Sequence, residues 1–280
     1  MLDGKTSVLK NILDKPQIIF TCLALFFGLL FLFITPVFEV PDEPAHILRT
    51  AEVAQGIFYN KEPAQETKYD KYFQELNTFK YKEKVYFDNP NYYFHREPGE
   101  FHYASRNSAI MYIAPAFGIK IGTLFTQDGK ALFYIGRIFS LLLYIILTAA
   151  AIKITPVFKY PFMFTALLPM ALFEGMSYSA DSFNNGFAFL FFAFVFKLIF
   201  DKKEMTKKDL TILSVFSIIG AFCKGLIYPL GLFLFLPPPG SNWRFKNKYL
   251  YITHLIFITL LLCYIWITIN PKNLNYEYSV

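Results

Sequence analysis

Residues 18–38, IIFTCLALFFGLLFLFITPVF, run for 21 positions without a charge. As a helix, such a stretch is long enough to cross a hydrocarbon core of roughly 30 Å. Further apolar runs follow at about 108–126, 131–152, 160–176, 183–200, 211–236 and 249–269, separated by short polar joints. A chain of 280 residues that is 55% hydrophobic, carries 34 Phe and has only 17% charged residues cannot hide so many apolar helices without lipid. The expected fold is therefore an all-α integral membrane protein, one polytopic domain over residues 1–280 with about seven transmembrane helices.

The first run follows Lys5, Lys10 and Lys15, as a secretory signal would, but it is too long and no small-x-small cleavage site follows, so an uncleaved spanning helix is expected. The net charge of +6 gathers in short clusters between apolar runs, the habit of cytoplasmic loops, and implies no nucleic-acid partner. Cys22, Cys223 and Cys263 lie far apart inside apolar runs, without His or Cys at ligand spacing, and read as small hydrophobes.

Charge placement sets the expected sidedness. The N-terminal lysines belong inside, which puts the polar stretch 39–106 outside, while Lys202, Lys203, Lys207 and Lys208 belong inside again. An odd number of crossings must then lie between 107 and 201, where there are four apolar runs. The run 108–126, with Pro115, two glycines and Lys120, is expected to lie in the outer interface, so that 39–126 forms an outer loop with juxtamembrane helices. The runs 131–152, 160–176 and 183–200 then cross, with Lys153 and Lys159 inside and Ser177 to Asn185 outside. Arg244, Lys246 and Lys248 also belong inside, so 211–236 is expected to form a hairpin of two half-helices meeting near Phe222-Cys223-Lys224-Gly225. The run 249–269 then exits.

Under this topology three polar features share the outer face: Asp42, Glu43, His46 and Arg49 just after the first span, Asp181 with Asn184 and Asn185, and Lys224. On a helix beginning near Pro44, His46 and Arg49 share a face and the acidic pair sits at the N-terminus, where the dipole favours anions. A carboxylate there can act as general base on a sugar or lipid hydroxyl. His46 can shuttle a proton or join Glu43 around a divalent cation, the one cofactor these residues suggest. Arg49, Arg137 and Lys224 can neutralise a phosphate leaving group.

Plainer readings stand beside these. Asp42 and Glu43 suit helix capping and interfacial solvation, and Asp181 suits a capping residue before an apolar helix. Lys224, alone in a long apolar run, is a functional candidate by default, unless it snorkels to the interface. The rings of Tyr59, Tyr72, Phe73, Tyr81, Tyr86, Tyr92, Tyr93, Phe94 and Tyr103 suit an aromatic belt at the headgroups better than sugar stacking, and His95, His102 and Arg106 have no fixed geometry.

Through PDEPAHILRTAEVAQG, HYASRNSAIMYIAPAFGIKIGTLF and GRIFSLLLY, the chain resembles the bacterial members of the GT-C superfamily of membrane glycosyltransferases, which carry an Asp-Glu pair after helix one. Through P-DEPAH, SADSFNNG and FCKGLIYPLGLFLFLP, it resembles more closely a branch of bacterial predicted membrane proteins known only as a domain of unknown function. The resemblance implies a GT-C-like fold in the bacterial plasma membrane. It also implies transfer of a sugar from a polyprenyl-phosphate donor to a glycan, lipid-linked or protein acceptor on the outer face. It places the catalytic role on Asp42 with Glu43 as supporting acid, adds His46 as a feature of the closer branch, and matches Arg137 to a basic residue at the start of the next span. Such enzymes usually have more spanning helices than about seven, so the chain is also expected to be a truncated product or half of a split gene. The alternative is a non-enzymatic subunit or a transporter for lipid-linked glycans; a transporter should show midplane charge and internal repeats, and no inverted repeat is found.

Overall fold

The computed structural model describes residues 15–58, 67–74, 76, 104, 107–200, 206–223, 228 and 248–269, with side chains in the last range confined to 253–265. Every element among them is helical: α1 Pro16–Ile34, α2 Glu43–Gln55, α3 Asp70–Gln74, a 3-10 turn Ala109–Tyr112, α4 Ile113–Gly122, α5 Gly129–Ile154, α6 Lys159–Ala166, α7 Pro169–Gly175, α8 Ala180–Phe200, α9 Lys207–Phe222 and α10 Lys248–Ile269. Local chemistry sets several boundaries. Pro16 opens α1 at a position whose N–H has no helical partner. Asp128 caps α5 by accepting from the backbone of Lys130 and Ala131, and Thr206 with Asp209 forms a capping box on α9.

Three of these helices, α1, α5 and α8, are long and apolar enough to cross a membrane. α1 runs antiparallel to α5, since Phe20 meets Tyr144 at 6.4 Å and Phe33 meets Tyr134 at 6.2 Å between ring centroids. α5 and α8, however, run in the same direction. Tyr178, just before α8, donates its hydroxyl to the carbonyl of Phe133 at 3.0 Å, Ser182 reaches the carbonyl of Ser140, and Gly186 faces Leu147.

Parallel neighbours need a return leg, and α6 with α7 supplies it. From Phe133 to Ile154 the rise along α5 is roughly 32 Å, and the chain covers that length back before α8 begins. Phe158 packs on Phe196, Phe162 on Phe189, and Phe173 on Phe31, so this leg climbs from the end of α8 to the end of α1. The run 160–176 is therefore two short helices. Pro169 cannot donate to the helix before it and pushes Leu168 to an extended ψ of 138°.

The run 108–126 is also divided, into the 3-10 turn and α4, which together lie beside the N-terminal part of α5: Gly118 faces Phe139, and Gly122 faces Leu132 and Ile135. α9 ends at Phe222, where the sequence places the meeting point of the hairpin, and Tyr228 packs back against Gly220. The remainder of that hairpin and Lys224 lie outside the described residues. So do His95, His102 and Arg106, and the rings at 59, 81, 86, 92, 93, 94 and 103. Of the rings expected in the belt, Phe73 is fully buried in the cluster that holds Ile47 and Leu48 and is core, while Tyr72 is half-buried against that cluster.

Three apolar clusters hold the described helices. One joins α1, α5, α6 and α7, a second joins α8, α9 and α10, and the third packs α2, α3 and α4 onto the start of α5 and α8. At that last end of the bundle the chain concentrates its polar side chains.

Candidate functional site

α2 follows α1 after a bend at Thr35–Pro41, and 11 of its 13 residues are buried, among them Glu43, His46, Arg49, Thr50 and Glu52. A helix buried on nearly every side with that many polar groups must satisfy them internally. Its two arginine pairs show how.

Arg137, on the third turn of α5, grips Glu43 with both ends of its fork: Nε donates to Oε1 at 2.9 Å and Nη2 to Oε2 at 2.6 Å. The same guanidinium donates to the carbonyls of Thr35 at 2.8 Å and Pro36 at 3.0 Å, the first two residues after α1. Its face lies 4.6 Å from the Phe133 ring centroid. Both charged side chains are 0% exposed. One residue thus ties the end of α1, the start of α2 and the upper part of α5, in the planar two-point geometry that only arginine provides.

Gly136 makes room beside this pair, because a Cβ there would overlap the Tyr178 hydroxyl. Burial, then the neighbouring Glu43 carboxylate, pushes the Tyr178 phenol well above its ordinary range, with Arg137 opposing, so it stays a hydrogen-bond donor.

The second pair is local. Arg49 donates to Glu52 at 2.9 Å, one helical turn on, and also to the carbonyls of Asn107, Ile57 and Phe58. It therefore pins the segment after α2 and the segment before the 3-10 turn onto one helix face. Asn107 in turn donates its side-chain amide to the Tyr112 hydroxyl at 2.7 Å, and that hydroxyl lies 2.7 Å from His46 Nδ1. Burial raises the Tyr112 phenol far above its usual value; the Asn107 amide and Arg49 pull it down, while Asp181 and Glu52 push it up.

Asp42 differs from all of these. It is exposed, at φ 63° in the left-handed region that non-glycine residues seldom occupy, and its side chain makes no helix cap. Its carbonyl accepts from the backbone of Ala45 and His46 at 3.1 and 3.2 Å, which holds the turn. Asp181 sits half-buried in the first turn of α8, and the cap there is Ser179, whose hydroxyl accepts from the backbone of Asp181 at 3.1 Å. The Asp181 carboxylate acts electrostatically on both Tyr112 and Tyr228.

The structure thus brings together Asp42, Glu43, His46, Arg49, Arg137 and Asp181 at one end of the bundle. Within that end it commits Glu43 to Arg137 and Arg49 to Glu52. Both Glu43 oxygens accept from Arg137, and His46 Nδ1 lies against the Tyr112 hydroxyl. Among the described residues no three His, Cys, Asp or Glu side chains gather around a common point. Sequence reasoning passed over Glu52, Asn107, Tyr112 and Tyr178. Glu52 had a signal, the i,i+3 spacing from Arg49; the others had none.

Comparison with curated proteins and comparison with solved structures each yield no match. The family comparison does: residues 25–277 match the family described as Predicted membrane protein (DUF2142), so this chain, with its apolar helices and its polar end, belongs to that membrane protein family.

Proposed function

We propose that the chain is an inverting membrane glycosyltransferase, with Asp42 as its general base. Asp42 would take the proton of an acceptor hydroxyl while that oxygen attacks the anomeric carbon of a sugar linked to polyprenyl phosphate. The bond from the anomeric carbon to the phosphate oxygen breaks, and polyprenyl phosphate leaves with the electron pair. In this reading the chain crosses a bacterial plasma membrane about seven times and works on the outer face, on a cell-wall or surface glycan, a lipid-linked glycan or a protein.

One observation carries the assignment: the two acids of the motif are separated into different environments. Glu43 is buried and matched by Arg137, whereas Asp42 is exposed one residue away on a strained turn braced by that pair. Glu43 and Arg137 then act as positioning residues, and Lys224 keeps the phosphate-binding role that the sequence suggests.

The test is incorporation of labelled sugar from a panel of polyprenyl-phosphate donors into membranes containing the protein. Transfer by the wild type that falls by a factor of about 100 or more in Asp42→Asn, with unchanged folding, supports the reading. A folded wild type that is inactive across the panel turns it toward a non-enzymatic subunit, in which the buried ion pairs serve assembly alone.

A further inference from the structure

The hydrogen-bond chain on the buried side of α2 has a direction. Asn107 Nδ2 has only hydrogens to offer, so at that contact the Tyr112 oxygen accepts. Among the described residues the other partner of that hydroxyl is His46 Nδ1 at 2.7 Å. If Nδ1 carried a proton toward Tyr112, the phenol oxygen would accept twice and its own hydrogen would be left without an acceptor, at a side chain that is 0% exposed. If instead the phenol donates to Nδ1, every atom of the chain is matched. Burial also keeps the phenol protonated, so the hydrogen is there to give.

We infer that Tyr112, oriented by Asn107, is a positioning residue that holds His46 neutral with its proton on Nε2. The ring then has no lone pair on offer: Nδ1 is filled by the phenol and Nε2 bears hydrogen. In that state His46 is neither a base nor a metal ligand, and any part it takes in turnover rests on the reading that the α2 motif carries the chemistry, whereas the tautomer itself does not.

The decisive experiment is 15N NMR of the full chain, labelled at histidine, in lipid nanodiscs at neutral pH. The chain has four histidines, so His46→Gln identifies the signals of interest by their loss. The wild type is expected to show a lone-pair-type signal at Nδ1 and an N–H-type signal at Nε2. In Tyr112→Phe the two should move toward the exchange average, with the ratio of Nε2–H to Nδ1–H forms falling several-fold; Asn107→Ala should move them the same way by less. A wild-type ring protonated at Nδ1, singly or doubly, overturns the inference without need of any variant. A Tyr112→Phe spectrum unchanged at His46 overturns the assignment to Tyr112. Because no step of this measurement requires turnover, an inactive donor panel would defeat the glycosyltransferase reading and leave the tautomer standing.

Discussion

The Glu43–Arg137 contact joins residues 94 positions apart and removes two full charges from solvent. Such a pair is held less by its Coulomb attraction than by the cost of separating it, since removing one partner leaves the other buried and uncompensated. Arg137→Met is therefore expected to destabilise the protein by about 3–5 kcal/mol. The double variant Glu43→Leu/Arg137→Met should regain most of that loss in a thermal melt in detergent. If the single and double variants melt together, the pair is not the brace described here. An arginine inside the apolar run 131–152 announces that a partner exists, because intramembrane charge must be matched. It does not say that the partner is Glu43 rather than Asp42, since the two are adjacent in the chain; the choice comes from a backbone turn that buries one and exposes the other.

Among the helices, the parallel pairing of α5 and α8 is the organising contact, and it depends on small residues. The small residues Gly136, Ser140 and Thr148, with Tyr144 between them, recur every four residues along α5, are buried, and lie on one face. Gly136 receives the Tyr178 hydroxyl, and Gly186 on α8 receives Leu147. Gly136→Ala is expected to cost about 1–3 kcal/mol through overpacking against Tyr178, with part of the loss recovered in Gly136→Ala/Tyr178→Phe, again read by thermal melting. Equal melting of wild type and Gly136→Ala would mean that Tyr178 yields at little cost. The apolar run 160–176 looks like one helix by length; its division at Leu168-Pro169 was legible only in the proline.

Across the described residues, alternation of direction through α1, α5, the α6–α7 leg and α8 places α2, α3, α4 and residues 176–181 at one end, and the joints near 155 and 206 at the other. With the three native cysteines replaced, a cysteine at the exposed Gln127 should react with a membrane-impermeant thiol reagent in intact cells. Cysteines at the exposed Lys153 and Lys207 should react only after permeabilisation. All three labelling from one side would overturn the proposed crossing pattern.

The membrane class, the helical content and the end of the bundle where polar groups gather were determined by the sequence itself, because hydropathy and lysine placement act locally along the chain and survive without any knowledge of packing. Which carboxylate is buried, which arginine answers it and that Tyr112 stands beside His46 were decided only by tertiary structure. Each depends on contacts across tens of residues or on the sign of a single φ angle, and no periodicity in the chain encodes either.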